Sequence, residues 1–112
     1  MEKQSFGKKE RVRKRKNYLN IYQRGIRVHS SNFTAILNPN PSGEKRLGVA
    51  VSKKVGNAVK RNRIKRLLRE FFRLNKDRLP DSRDLVIIAK KNVASLKYQD
   101  VYLELTDLFK KK

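Results

Sequence analysis

The stretch from Asn57 to Lys76, NAVKRNRIKRLLREFFRLNK, carries the strongest structural pattern in the chain. Asn57 is a favourable N-cap residue, and the pattern predicts a helix from Ala58 to about Lys76 that Pro80 would stop. At 100° per residue, one sector of this helix collects apolar side chains and predicts the face that packs on the core. Its members are Ile64, Leu67, Leu68, Phe71 and Leu74. We expect the rest of the domain to cover that face.

The side of the predicted helix opposite this apolar face is basic. Asn62, Lys65, Arg66, Arg69 and Arg73 form a continuous stripe there. Nine basic residues and one acidic residue lie between Lys53 and Arg73. An ordinary solvated face usually mixes charge signs, because like charges four residues apart repel each other. The imbalance favours a surface that binds phosphates, with an ordinary solvated face as the alternative.

Shorter patterns before and after this helix predict five further elements. They are a helix over 10–24, strands over 31–37, 47–51 and 85–89, and a final helix over 98–111. The segment NPNPSGE, at 38–44, has turn chemistry and predicts that the first two strands pair as an antiparallel hairpin. The apolar run LVIIA, at 85–89, is typical of a strand covered on both faces.

These elements predict one mixed α/β (α+β) domain of two layers, in the order α-β-β-α-β-α, over residues 10–112. Residues 1–9 are polar and charged without periodicity, so we interpret them as a flexible basic tail. A chain of 112 residues seldom divides into two separately cored units, which makes a two-domain enzyme an unfavourable interpretation.

The composition limits the function classes that remain. The chain has 30 Lys and Arg against 10 Asp and Glu, and a formal net charge of +20 favours a polyanionic partner. The absence of cysteine excludes disulfides and thiolate metal sites. We interpret the single histidine, His29, as a solvated loop residue. No apolar stretch approaches the roughly 20 residues that span a bilayer, so we expect a soluble protein of the cytoplasm with no membrane partner.

The acidic residues offer no self-sufficient active site. Asp100, Glu104 and Asp107 share one face of the last predicted helix. That set could hold a hydrated Mg²⁺ ion, but the favoured interpretation is the solvent side of the helix. We therefore expect no catalytic residue in this chain, and the ligands of any protein-bound metal stay unassigned.

The first predicted helix combines basic and aromatic side chains. Arg11, Arg15, Tyr18 and Tyr22 lie within about 60° of one another on the helical wheel. Rings beside cations suit single-stranded nucleic acid, because every base has a face that can stack. The alternative is that both tyrosines pack on the sheet with their hydroxyls at its edge. The residues leave these two interpretations open.

The run from Val51 to Glu70, VSKKVGNAVKRNRIKRLLRE, resembles the signature of the bacterial ribonuclease P protein component. The centre of that signature is Arg61, Asn62 and Arg63, followed here by Lys65, Arg66 and Arg69. The resemblance covers nearly the whole chain, including the helix with two aromatic residues four apart. It implies that the protein binds a large catalytic RNA and assists Mg²⁺-dependent removal of the 5′ leader from precursor tRNA. The Mg²⁺ would be bound mainly by the RNA.

The resemblance also implies roles for particular residues and one unusual connection. The motif residues Arg61, Asn62, Arg63, Lys65, Arg66 and Arg69 would face the catalytic RNA. A cleft between the first helix and the sheet would bind the leader through Tyr18, Tyr22, Phe33 and Ile36, with Lys53 and Lys90 at its edges. The family has phenylalanines in many members where this chain has the two tyrosines. It also has a left-handed crossover between the second and third strands, whereas general topology rules favour a right-handed one.

Two other function classes share this composition. A structural RNA-binding protein, such as a small ribosomal component, would have the same size, charge and lack of cysteine. The aromatic pair beside a basic stripe favours the ribonuclease P interpretation over it. A DNA-binding domain ranks last, because Asn62 is the one obvious reader of base edges on the basic helix.

Overall fold

The computed structural model describes residues 11–12, 15–40, 43, 45–79, 83–91 and 93–110. The elements are α1 (Arg15–Arg24), β1 (Ile26–His29), β2 (Phe33–Pro39), β3 (Arg46–Val51), α2 (Ala58–Asn75), β4 (Arg83–Ala89) and α3 (Tyr98–Lys110). Short 3₁₀ turns at Lys53–Val55 and Lys76–Arg78 flank α2. The prediction of one mixed α+β domain is confirmed, with β1 as an additional strand. The predicted tail over 1–9 and the predicted helix stop at Pro80 lie outside the described residues.

The sheet has the order β1-β2-β4-β3, which corrects the predicted hairpin. β2 and β3 are consecutive in the chain, but β4 lies between them, antiparallel to β2 and parallel to β3. The apolar strand β4 needs a partner on each edge and cover on each face, and the central position provides both. The hairpin that does form joins β1 to β2, with Ile26 opposite Leu37 and His29 opposite Thr34.

The parallel pair makes β3, α2 and β4 a crossover unit of the kind that the resemblance implies. Two parallel strands cannot be joined by a tight turn, and here the 18-residue helix α2 makes the connection. The left-handed sense of this connection stays a prediction of the resemblance.

Helices cover both faces of the sheet, so the predicted two-layer arrangement is wrong. On one face, alternate β2 residues such as Phe33 and Leu37 pack in a core with α2 and α3. On the other face, Ile36 and Val86 pack with Ile21 of α1. Because successive strand residues point to opposite faces, the central strands bury both sets of side chains and make three layers.

The structure confirms the N-cap of α2 and shifts its buried face. The Asn57 Oδ1 accepts a hydrogen bond from the Lys60 backbone N–H at 3.0 Å. Ile64, Leu68 and Phe71 are buried as predicted, but Leu74 is 38% exposed. Phe72 is buried instead. On the helical wheel Leu74 lies at one margin of the predicted face and Phe72 just beyond the other, so the packed face is rotated towards Phe72.

The first helix begins later than predicted because residues before it pair with an edge strand of the sheet. Arg11 forms an isolated parallel bridge with Leu47 of β3, and the Val12 N–H donates to the Leu47 carbonyl at 2.9 Å. This short segment covers part of an edge strand that otherwise exposes backbone hydrogen-bonding groups. α1 then runs from Arg15 to Arg24 across the sheet.

Candidate nucleic-acid interface

Two neighbouring rows of residues cross the sheet on the face that carries α1. The strand register aligns the first row as Arg27, Ile36, Val86 and Gly48, and the second as His29, Thr34, Ile88 and Ala50. α1 covers the first row, where Ile36 and Val86 are fully buried. In the second row Ile88 and Ala50 are half-buried and His29 is exposed. We call the surface formed by the second row and the adjoining side of α1 the α1 groove.

Tyr18 and Tyr22 form the aromatic wall of the α1 groove. Both are half-buried, with ring centroids 6.2 Å apart and planes inclined by 58°. They pack against the cluster beneath α1, together with Ile88 of the groove floor. The packing interpretation is therefore confirmed in part, because each ring contacts the core. Each ring also keeps exposed surface, and stacking on nucleic acid stays a prediction.

The environment of Tyr18 keeps its phenol protonated. Burial, with a smaller contribution from Tyr22, raises the pKa of Tyr18 above its ordinary value of 10.0. The nearby Arg69 guanidinium and a hydrogen bond from the Val49 backbone oppose this without cancelling it. At neutral pH the hydroxyl therefore keeps a proton that it can donate.

The structure removes Phe33 and Ile36 from the predicted wall. Both have 0% exposure. Ile36 lies beneath α1, and Phe33 lies three residues earlier on β2, so it points to the opposite face and into the core with α2 and α3. Thr34 lies on the same face of β2 as Ile36, two residues earlier. Thr34 and its neighbour Ile88 on β4 occupy the groove floor instead. The period of two along β2 is the signal that separates Phe33 from Ile36.

Lys53 and Lys90 follow the carboxyl ends of β3 and β4 at one end of the sheet, and their place at the edges of the leader cleft stays a prediction. β3 and β4 are parallel and end together, with Val51 opposite Ala89, so the residues that follow them are neighbours. Both lysines are exposed. The Lys90 Nζ donates to the Ser30 carbonyl at 2.6 Å, in the turn after β1.

Sequence reasoning missed that His29 lies at the same end of the sheet. It belongs to β1 rather than to a loop, and its Nδ1 lies 3.0 Å from the Thr34 Oγ1. The short strand IRVH alternates apolar and polar residues, but four residues are too few to separate a strand from a loop, and the strand is exposed along most of its length.

The basic side of α2 presents most of the residues that the signature singles out. Asn62, Arg66 and Arg69 are exposed, and Arg61, Arg63 and Lys65 are half-exposed. We call this set the basic face of α2. Two arginines of the helix are engaged within the chain: the Arg63 guanidinium donates to the Ala94 carbonyl at 3.2 Å, and Arg73 pairs with Glu70 at 2.6 Å. The surface that points outward without such a bond is therefore centred on Asn62, Arg66 and Arg69.

The acidic residues of α3 bind within the chain. Glu104 accepts hydrogen bonds from Ser30 and Asn32, and Asp100 accepts from the Lys97 backbone N–H at 2.9 Å. For Glu104 this corrects the solvent-facing interpretation. Across residues 11–12, 15–40, 43, 45–79, 83–91 and 93–110, no three acidic or histidine side chains cluster as a metal site would require. Within the same ranges no helix combines the length and the apolar character needed to cross a membrane.

Comparison with known proteins agrees with this geometry. The sequence profile described as Ribonuclease P matches residues 6–112. The ribonuclease P protein component of Syntrophus aciditrophicus (strain SB) is 57% identical over 111 residues, which cover 99% of this chain and 93% of that protein. The counterpart from Desulforapulum autotrophicum is 47% identical over 107 residues, covering 96% of this chain and 92% of that protein.

Solved structures give the same result for the fold. The RNase P protein from Thermotoga maritima superposes with a TM-score of 0.83 at 33% identity, covering 92% of this chain and 97% of that one. The RNase P protein of Staphylococcus aureus superposes with a TM-score of 0.84 at 32% identity, covering 91% of this chain and 94% of that one. The chain therefore belongs to the Ribonuclease P family, the bacterial protein components of a tRNA-processing endoribonuclease.

Proposed function

We propose that this chain binds the catalytic RNA of ribonuclease P through the basic face of α2 and the 5′ leader of precursor tRNA through the α1 groove. The observation that carries the leader assignment is the second row of the sheet, in which Ile88 and Ala50 are half-buried and His29 is exposed, beside two half-buried tyrosines. The holoenzyme would then cut precursor tRNA at the end of its leader and give the mature 5′ end.

The α1 groove has the chemistry that a single strand of RNA requires. The faces of Tyr18 and Tyr22 offer stacking to bases of any identity, and Ile88 and Ala50 give the floor apolar character. Lys53 and Lys90 at the sheet edge supply charge for backbone phosphates. A paired helix would be a poorer match, because its bases are stacked on each other and present no free faces.

The basic face of α2 suits a large folded RNA. Arg66 and Arg69 are exposed, and they lie on one side of a rigid helix together with Asn62. Cations fixed in this way neutralise phosphates and release the counterions condensed on them. Recognition of this kind depends on the position of the phosphates more than on the sequence of the bases.

The hydrolytic chemistry belongs to the RNA in this proposal. Mg²⁺ would be bound mainly by RNA phosphates and would activate the attacking water there. Asp100 and Glu104, the acidic residues of α3 whose bonds are described, already accept hydrogen bonds from the chain itself. We place the complex in the bacterial cytoplasm, where tRNA precursors are made.

The protein would improve turnover through a difference in affinity. A precursor contacts both the catalytic RNA and the α1 groove, whereas the mature tRNA has no leader to place in the groove. Binding that is present in the substrate and absent in the product favours release after cleavage.

Leader recognition is tested by binding of the holoenzyme to precursor and to mature tRNA, scored together with 5′ cleavage at low Mg²⁺. We expect tighter binding of the precursor and protein-dependent cleavage. Tyr22→Leu should lower the precursor preference about tenfold, the scale of one lost stacking contact. Tyr102→Leu is the matched control, because Tyr102 is a half-buried tyrosine on the opposite side of the sheet. Equal binding of both tRNAs, with no effect of the protein on cleavage, would leave a general RNA-binding protein.

A further inference from the structure

A small polar cavity lies where α1, α2 and the edge of β3 meet. Its volume is about 130 Å³, and it opens to solvent. Its lining comprises Arg11, Val12, Tyr18, Leu47, Gly48, Val49 and Arg69. Two of these residues are arginines, one from the segment before α1 and one from α2, and none of the lining residues that the structure describes is acidic.

The Tyr18 hydroxyl lies against the strand below it. Tyr18, Gly48 and Val49 line the cavity together, and the hydroxyl carries a hydrogen that it can donate into it. Gly48 permits this arrangement, because a Cβ at that position would come within 2.7 Å of the hydroxyl oxygen. Arg69 of α2 lines the same cavity as this phenol.

We propose that this cavity binds one phosphate group, with Arg11 and Arg69 supplying charge and the Tyr18 hydroxyl donating a hydrogen bond. A tetrahedral oxyanion accepts several hydrogen bonds and prefers arginine donors, and a cavity of this size accommodates it. Phenylalanine, which resembles tyrosine in the wall but lacks the hydroxyl, would not complete the site. The hydroxyl thus gives Tyr18 a role separate from stacking.

The position of the cavity favours a phosphodiester of RNA as the source of this phosphate. Tyr18 belongs to the wall of the α1 groove and Arg69 to the basic face of α2, so the cavity joins the two surfaces. A strand leaving the groove towards the catalytic RNA would carry a backbone phosphate past this point. This choice of source rests on the proposed function, whereas the phosphate site itself does not.

The site is tested by titrating the isolated full chain with inorganic phosphate at constant ionic strength, using NaCl to balance each step. Two-dimensional NMR would follow the Val49 backbone amide and the Arg69 Nε–H. We expect saturable shifts of both signals. Tyr18→Phe should weaken phosphate binding about tenfold, the scale of one lost hydrogen bond to a charged group, and Arg69→Gln should weaken it further.

Arg24→Gln is the matched control, because it removes one positive charge from an exposed residue at the far end of α1. It should leave the phosphate Kd within about twofold. Shifts that do not saturate, or equal phosphate affinity in the wild type, Tyr18→Phe and Arg69→Gln, would overturn the site.

A second arm identifies the source. A single-stranded RNA of five nucleotides should displace inorganic phosphate from the Val49 and Arg69 signals if a phosphodiester is the natural occupant. Phosphate that stays bound at saturating RNA would overturn the RNA source. Tyr18→Phe keeps the aromatic ring, so it should weaken phosphate binding without lowering the preference for precursor tRNA. Tyr22→Leu tests that preference, so either proposal can fail without the other.

Discussion

The carboxylate of Glu104 accepts hydrogen bonds from both the backbone N–H and the side-chain amide of Asn32, at 2.7 and 2.8 Å. The Ser30 hydroxyl donates to the same carboxylate. One side chain of α3 therefore fixes the turn between β1 and β2, whose Ser30 carbonyl accepts from Lys90. The Lys90 side chain is therefore held by a turn that Glu104 fixes.

We expect Glu104→Gln to lower the free energy of unfolding by about 1–2 kcal/mol at pH 7, because an amide accepts fewer and weaker hydrogen bonds from this turn. Urea denaturation measures the difference. Asp77→Asn is the matched control, since it removes a carboxylate from an exposed residue of the 3₁₀ turn after α2. An equal loss in both variants would show that net charge, rather than the turn, causes the effect.

The same carboxylate predicts a pH dependence. Burial alone would raise the pKa of Glu104, but hydrogen bonds from Ser30 and Asn32 and the charge of Lys90 outweigh it, so the pKa lies below its ordinary value. A lowered folded-state pKa contributes stability above the unfolded-state pKa, and this contribution is lost as the pH falls through the folded-state value. The stability difference between wild type and Glu104→Gln should therefore shrink on acidification below about pH 4.5. A difference that is constant from pH 7 to pH 3 would contradict this.

The close contact of Gly48 with Tyr18 predicts that Gly48→Ala destabilises the protein. A Cβ would lie 2.7–2.8 Å from three atoms of the Tyr18 phenol, so the ring must move. Overpacking of this kind costs about 1–3 kcal/mol. In a Tyr18→Leu background the same substitution should cost much less, because the clashing ring is absent. A double-mutant cycle by urea denaturation measures the coupling, and additive effects would contradict the contact.

The residues Arg63 and Arg66 should separate stability from RNA binding. Arg63 donates to the Ala94 carbonyl and so ties α2 to the segment before α3, whereas Arg66 is exposed. Arg63→Ala should lower the free energy of unfolding by about 1 kcal/mol, and Arg66→Ala should leave it nearly unchanged. Arg66→Ala should instead weaken binding of the catalytic RNA and reduce the slope of log K against log salt by about 1. A loss of stability in Arg66→Ala together with weaker RNA binding in Arg63→Ala would contradict these assignments.

The sequence predicted the helices and the apolar strands well, because their periodicity follows directly from what they bury. α2 begins at its predicted cap, α3 forms where its amphipathic pattern buries Val101, Leu105 and Leu108, and β4 is covered on both faces. Local patterns of this kind need no knowledge of the partner. The same periodicity predicts the exposed positions of Asn62, Arg66 and Arg69 on α2, whose role in binding stays a prediction.

The strand order could not be read from local pattern. A turn segment between β2 and β3 has the same composition whether the strands pair or diverge, and pairing with β4 depends on residues about 40 positions away. The choice of Phe33 and Ile36 for the groove failed because the register that selects Thr34 and Ile88 is a property of the assembled sheet. β1 was missed because its apolar alternation spans only four residues, of which three are exposed.

The charge of the chain predicts that multivalent anions stabilise it. With a formal net charge of +20, the folded state brings like charges together, and an anion bound to the folded state alone opposes their repulsion. At a sulfate concentration ten times its Kd, linkage gives about 1.4 kcal/mol, which corresponds to a rise in Tm of roughly 5 °C. Thermal unfolding in sodium sulfate and in sodium chloride at matched ionic strength measures the effect and controls for screening. Equal Tm values in the two salts would contradict specific anion binding and leave screening as the cause of any stabilisation.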